Sequence, residues 1–181
     1  YMVGWARRSE SPSSTQDVAA WGGNLVVQKI VQKENGELVL APVDTLLEQF
    51  DERRQLLIEG SHIFLQAGSR YSYSDVFTCY ESYMLTGEFT FTGSGSFGLA
   101  FDFNGKENKY KTISISPSEG KVQLLFNEGD TLIAENAIEL EAGKNYSFTY
   151  IQEGSVGVFY IDGIAALTVR IYGASGKAVM L

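Results

Sequence analysis

Side chains able to bind a metal or attack a substrate are thinly spread along this chain of 181 residues, which holds one His (His62) and one Cys (Cys79). An internal disulfide framework and a Cys-based metal site are thereby excluded, since each needs several cysteines. His62 enters the apolar run His62-Ile-Phe-Leu65, where a hydrogen-bonded strand histidine is expected rather than a ligand. In Cys79-Tyr80-Glu81 the thiol reads as a small buried hydrophobe and Glu81 as a solvated strand residue. Asp102, in Phe101-Asp102-Phe103-Asn104-Gly105, leads into an Asn-Gly pair that marks a turn. Gly93-Ser-Gly-Ser-Phe-Gly98 and Lys106-Glu-Asn-Lys-Tyr-Lys111 read as hairpin loops. Neither is a phosphate cradle, because no Gly-rich strand-to-helix turn accompanies them. Four residues have types suited to a sugar: Trp5, Arg7, Arg8 and Trp21. An indole face offers apolar surface to a sugar ring, and a guanidinium donates in a fixed fork to hydroxyls or phosphate. Packing is the competing use of both tryptophans. Arg7 and Arg8 are adjacent, so only one can face a pocket if the strand continues. Tyr71, Tyr73, Tyr80 and Tyr83 form an aromatic-rich stretch whose commoner use is core packing, with a lectin-like platform as the other. No metal and no cofactor is expected.

The elements that must position these residues are strands. Period-2 alternation runs through Glu88–Thr92, Phe97–Phe103, Thr112–Ser116, Tyr146–Tyr150 and Leu167–Ile171, each offering one apolar face. Turn chemistry separates them at Glu119-Gly120, Glu128-Gly129-Asp130, Ala142-Gly143-Lys144 and Glu153-Gly154. Asp162-Gly163, between Val156–Ile161 and Ile164–Tyr172, is the best two-residue hairpin signal, because both positions tolerate positive φ. Short antiparallel strands without intervening helical patterns predict a β-sandwich. Lys177–Leu181 begins an apolar strand and stops, which suggests a truncated chain or a missing last strand.

The first 50 residues read differently. Tyr1–Ala6 is a short strand and Arg7–Asp17 a Ser-rich loop. Asn24–Gln32 and Glu37–Ala41 form a hairpin through Glu34-Asn35-Gly36. After Pro42, Val43–Phe50 has helical spacing, with Asp44 or Thr45 as N-cap and Glu48 following. Three strands and a short helix cannot bury a core alone, so this piece ends a larger β domain or packs on the sandwich.

Composition sets the outer limits. Fourteen Lys+Arg against 22 Asp+Glu give a net charge of −8, and no basic stripe is present. A nucleic-acid or anionic-membrane partner is therefore excluded by the sequence reading. Hydrophobic content of 44% excludes a disordered chain. No apolar run approaches the ~20 residues a spanning helix needs. The chain opens at Tyr1, and no signal peptide is visible. A lone cysteine fits the cytoplasm, with a disulfide-free secreted protein as the alternative.

Three segments together resemble the C-terminal part of family 32 glycoside hydrolases, the β-fructosidases that include invertase, levanase and sucrose-6-phosphate hydrolase. Met2-Val-Gly-Trp-Ala6 is similar to an apolar-Gly-Trp strand late in that family's five-bladed propeller. Trp21-Gly-Gly-Asn-Leu-Val-Val27, Asn35-Gly36-Glu37-Leu38 and Ala41-Pro-Val-Asp-Thr-Leu-Leu47 resemble the segment closing the last blade. Ala165-Ala-Leu-Thr168 and Arg170-Ile-Tyr-Gly173 resemble a late strand of the family's sandwich. Many members carry Pro-Arg-Glu where this chain has Val27-Gln28-Lys29.

The resemblance implies an all-β chain. Residues 1–50 would end a β-propeller, 51–57 would link, and 58–181 would form a concanavalin-like two-sheet β-sandwich. It implies a parent enzyme hydrolysing β-fructosides such as sucrose, sucrose 6-phosphate or fructans by the retaining route. That route uses two carboxyl groups about 5 Å apart. The family places them in Asn-Asp-Pro-Asn-Gly and Glu-Cys motifs, with an Arg-Asp-Pro stabiliser, and all three are expected upstream of Tyr1. No catalytic residue is therefore expected in this chain. Asp102 lacks the motif's Pro, and Cys79-Tyr80-Glu81 has the acid/base letters in the wrong order. The family's funnel rim lies near the strand and loop holding Trp5, Arg7, Arg8 and Trp21, while the sandwich is expected to be structural and to support a homodimer. A non-catalytic carbohydrate-binding or adhesion module is the rival reading.

Overall fold

The computed structural model describes residues 1–6, 24–54, 56, 62–66, 72–103, 110–126, 131–171 and 177–180. Strands β1 (Met2–Trp5), β2 (Leu25–Gln32) and β3 (Leu38–Ala41) precede a one-turn helix α1 (Asp44–Leu47). Then come β4 (Ser74–Thr78), β5 (Ser82–Phe89), β6 (Phe97–Phe101), β7 (Lys111–Ser116) and β8 (Lys121–Phe126). The last five are β9 (Thr131–Ala137), β10 (Tyr146–Glu153), β11 (Val156–Ile161), β12 (Ile164–Arg170) and β13 (Lys177–Met180). The chain is all-β, as its alternation predicts. Its strands form three antiparallel sheets in the orders β1-β2-β3, β12-β11-β10-β5 and β4-β13-β6-β7-β8-β9.

These sheets fall into two compact units. The first takes in Tyr1–Arg53, Glu81–Phe91 and Gly143–Tyr172, and so holds the three-stranded and four-stranded sheets with α1. The second, of Arg54–Tyr80, Thr92–Ala142 and Gly173–Leu181, holds the six-stranded sheet. The four-stranded sheet is the larger of the first unit, and the six-stranded sheet is the sheet of the second.

Turn residues sit where their chemistry requires. Asp162 (φ 48°) and Gly163 (φ 72°) both adopt the left-handed region between β11 and β12, as a two-residue hairpin demands. Asp is favoured there for a second reason: its carboxylate accepts from the Ser147 backbone N–H (2.9 Å) and hydroxyl (3.1 Å), tying the turn to β10. The β2–β3 hairpin closes through Lys33 N–H to Glu37 O (2.8 Å), with the Asn35 side chain accepting from Glu37 N–H (3.0 Å).

Four expectations need correction. The helix covers only Asp44–Leu47, and its N-cap is Val43, in an extended conformation with no side-chain cap. The Asp44 carboxylate is drawn to Lys29 Nζ instead, at 2.9 and 3.0 Å, and the chain tightens into i→i+3 bonds at Gln49 and Phe50. The Gly93–Gly98 segment is not a hairpin loop, because β5 and β6 belong to different sheets. Side-chain bonds of Ser96 to Ser116 and of Ser118 to the Ser94 carbonyl hold it against the β7–β8 turn. His62 is exposed and lies outside any strand. Cys79 is half-buried rather than buried, and Glu81, solvated as read, sits at a bend ahead of β5 rather than in a strand. The apolar strand at Lys177 finds a partner on each side, β4 and β6.

Gly98 shows how closely β6 and β7 approach. A Cβ built there would lie 1.9 Å from the Ile113 carbonyl oxygen, a backbone atom that cannot swing away. Gly98→Ala must part the two strands and should cost about 1–3 kcal/mol or more. Gly95 faces open space, and Gly95→Ala should stay within about 0.5 kcal/mol of the parent. Urea titration followed by near-UV circular dichroism measures both; equal midpoints would contradict the geometry.

Candidate functional site

Of the four sugar-suited residues, Trp5 alone lies among the described residues; Arg7, Arg8 and Trp21 lie outside them. Trp5 ends β1 directly opposite Leu25 and is 60% exposed. Other chemistry-bearing residues are scattered. Asp102 follows β6 in a left-handed conformation (φ 57°), which suits its reading as the approach to a turn. The tyrosines do not assemble one platform. Tyr83 is buried in β5 with its hydroxyl on Gln152, Tyr80 lies under the Arg54 guanidinium (4.9 Å), and Tyr73 meets Phe103 at a tilt of 51° (ring centroids 4.7 Å). Tyr71 and most of the Lys106–Lys111 run fall outside the described residues. Among the described residues, no group of three His, Cys, Asp or Glu could hold a metal ion. No described helix is long and apolar enough to cross a membrane.

In the first unit two buried amides, Gln28 and Gln152, escaped the sequence reading as candidate site residues. Gln28 interrupts the apolar Val26-Val27 run and is 4% exposed. On the inner face of β2 its amide reaches Thr168 Oγ1 of β12 at 3.5 Å. Tyr160 of β11 shares a hydrogen bond with the same side chain, and its burial pushes the phenol pKa above the ordinary value of 10.0. Gln152, likewise set in an apolar strand, accepts from the hydroxyls of Tyr150 (2.7 Å) and Tyr83 (3.1 Å) and donates to the Gly154 carbonyl (2.9 Å). Arg170 closes one end of this seam: it donates to Ser155 Oγ (2.8 Å), the Ala6 carbonyl (3.1 Å) and Asn24 Oδ1 (3.4 Å). A polar residue inside an apolar strand was the signal available in the sequence for Gln28 and Gln152.

Beside this seam lies a small cavity of about 160 Å³, walled by Leu25, Val26, Leu46, Ile151, Val158 and Tyr160, with Asn24 and Glu153 as polar members. Glu153 accepts a short hydrogen bond from Ser82. One hydrogen-bonded carboxylate against apolar walls does not make the acid-plus-nucleophile pair that glycoside hydrolysis uses. The hydrogen bonds of Gln28 and Arg170 join the three-stranded sheet to the four-stranded one.

Two measurements probe this seam. Arg170→Met removes three hydrogen bonds and leaves the Ala6 carbonyl short of a donor. It should cost about 1.5–3 kcal/mol, the range for bonds to a charged group. Faster amide exchange at Ala6, whose N–H bonds Asn24 O at 3.2 Å, would report that β1 and β2 have loosened. Unchanged exchange would mean the guanidinium is not the clasp. Tyr160 titrates higher folded than unfolded, so its contribution is complete below about pH 10 and is lost as pH rises through the folded value. Alkaline unfolding should therefore be shallower in Tyr160→Phe, by up to about 1.4 kcal/mol per pH unit. Identical alkaline limbs would contradict the shift.

No family model matches the sequence, and no curated protein does. Solved structures do. Sucrose-6-phosphate hydrolase from Lactobacillus gasseri matches with a TM-score of 0.61 at 18% identity, over 98% of this chain and 35% of that one. Exo-inulinase from Aspergillus awamori matches with a TM-score of 0.59 at 11% identity, over 98% of this chain and 36% of that one. The carbohydrate binding module CBM66 from Bacillus subtilis matches with a TM-score of 0.51 at 15% identity, over 60% of this chain and 72% of that one. At these identities the likeness is one of fold. The chain thus has the all-β fold of part of these proteins, and it spans about a third of the length of the two hydrolases, 35% and 36%.

Proposed function

We propose that this chain is the C-terminal portion of a family 32 glycoside hydrolase. The parent cleaves β-fructosides (sucrose, sucrose 6-phosphate or fructans) by the retaining route, and its catalytic carboxylates lie outside this chain. The observation that carries the reading is the near end-to-end correspondence, 98% of the chain, with two hydrolases. It takes in the three-stranded sheet as well as the larger sheets, which agrees with the motif order read from the sequence. In this reading residues 1–50 close a propeller blade and 58–181 form a structural sandwich that supports dimerisation. Trp5, Arg7, Arg8 and Trp21 are the residues placed near the sugar, and the protein works in the cytoplasm, with secretion as the alternative.

The rival reading, a carbohydrate-binding module, draws on the match to CBM66. Two experiments separate them. The DNA upstream of the Tyr1 codon should encode Asn-Asp-Pro-Asn-Gly, Arg-Asp-Pro and Glu-Cys in frame, and the 181-residue chain should release no fructose from sucrose, sucrose 6-phosphate or inulin. An upstream frame without these motifs would sink the hydrolase reading. Calorimetric titration of the 181-residue chain with fructo-oligosaccharides and unrelated glycans should show no saturable heat; tight binding would favour the module.

A further inference from the structure

Register assigns one face of the four-stranded sheet. Thr149 pairs with Tyr160, Ile151 with Val158 and Glu153 with Val156, and residues directly opposite in antiparallel strands share a face. On that face Ile151, Val158 and Tyr160 form the buried cluster against which Val26, Leu47 and Phe50 pack. Glu153 lies two residues beyond Ile151 on β10, so it ends an apolar row on the same side of the sheet. It is exposed, and with Val26, Leu46, Ile151, Val158 and Tyr160 it lines the cavity of about 160 Å³.

The polar groups of this cavity are not equivalent. Asn24 Oδ1 accepts from Arg170 (3.4 Å), and the Tyr160 hydroxyl shares a hydrogen bond with Gln28. Glu153 accepts from the Ser82 hydroxyl, and one hydroxyl leaves most of a carboxylate's acceptor capacity unused. None of the ion pairs among the described residues includes Glu153. Arg170, opposite Val156 in β12, donates to Ser155, Ala6 and Asn24 instead, and Lys29 is held by Asp44 at 2.9 Å. A carboxylate with spare capacity, an aromatic wall and aliphatic sides together suit an amine. The ammonium bonds the carboxylate and is drawn to the ring, while its hydrocarbon part leaves water. A sugar, by contrast, needs several convergent donors and acceptors. Volume sets the size of the occupant, since an apolar cavity of about 150 Å³ accommodates benzene. The net charge of −8 favours a cation over an anion.

We propose that this cavity binds a small organic ammonium ion. A single ring or branched chain sits between Val26, Leu46, Ile151 and Val158, and the ammonium rests on the Glu153 carboxylate beside Tyr160. The site is built wholly from the first unit, so it goes beyond the hydrolase reading and does not depend on it.

Methyl-resolved NMR of the 181-residue chain tests the site with two probes at neutral pH: benzylamine, which is charged there, and benzyl alcohol, an uncharged molecule of the same shape. Benzylamine should shift the methyl signals of Leu46, Ile151 and Val158 to saturation, with a dissociation constant of about 1 mM or tighter. Benzyl alcohol should bind at least about tenfold more weakly, because it lacks the charge-assisted bond. Glu153→Gln should weaken benzylamine by about the same factor and leave benzyl alcohol within about twofold. Equal affinities of the two probes for the parent chain would overturn the proposal, since the ring alone would then account for binding. So would benzylamine shifts that never saturate at these methyls, or a benzylamine affinity unchanged in Glu153→Gln. Comparing the probes on the parent chain needs no substitution, so it decides the matter even where the variant fails to fold. Fructose release plays no part in this readout, and a negative result leaves the hydrolase reading as it stands.

Discussion

Strand β11 has no exposed residue along its six positions, so the sheet at whose centre it lies must be covered on both faces. This constraint organises the first unit. One side presents Ile151, Val158 and Tyr160, and these are met by Val26 of the three-stranded sheet and by Leu47 and Phe50 in and just after α1. The other side carries Phe148, Tyr150, Phe159 and Leu167, all buried. Each fully buried side chain of this size contributes about 1.5–3 kcal/mol relative to exposure. The small sheet and helix, which could not bury a core alone, gain their stability from this layer.

Polar groups fix how the layers meet. Apolar contact alone would tolerate a slip of the three-stranded sheet over the four-stranded one, because one branched residue substitutes for another at little cost. Gln28 does not allow this. It is nearly inaccessible to water, and a buried amide without its partners would lose about 1–3 kcal/mol. Thr168 and Tyr160 satisfy it at set positions, and Arg170 secures the Ala6 and Asn24 end. Gln152, bonded by Tyr83 and Tyr150, ties β5 to β10 within the four-stranded sheet. Surface pairs such as Lys29–Asp44 add little by comparison, about 0–1 kcal/mol at their exposure. In the first unit these hydrogen bonds register the three-stranded sheet on the four-stranded one.

The strands were largely legible from the residues. Alternation marked β6, β7, β10 and β12, and Asp-Gly marked the β11–β12 turn, because side-chain period and positive φ are local properties written in adjacent residues. The N-cap at Asp44 was misread, since Lys29, fifteen residues away, takes the carboxylate that local rules assign to the helix. The Gly93–Gly98 connection was misread as a hairpin because glycine content reports a turn but not which sheet the next strand joins. Packing, the commoner use expected of the tyrosine stretch, is what Tyr83 and Tyr73 show: strand pairing sends Tyr83 inward to Gln152, and Tyr73 lies against Phe103.

The sequence by itself determined the all-β class, the acidic charge and most of the places where the chain turns, all of which depend on residue type and near-neighbour spacing. Tertiary structure alone decided that β13 would sit between β4 and β6, that Gln28 would meet Thr168 across 140 residues, and that Trp5 would share an apolar outward face with Leu25 and Val27. These outcomes depend on pairing between distant segments. Two strands with the same alternation are interchangeable until a third element makes one pairing lower in free energy than the others.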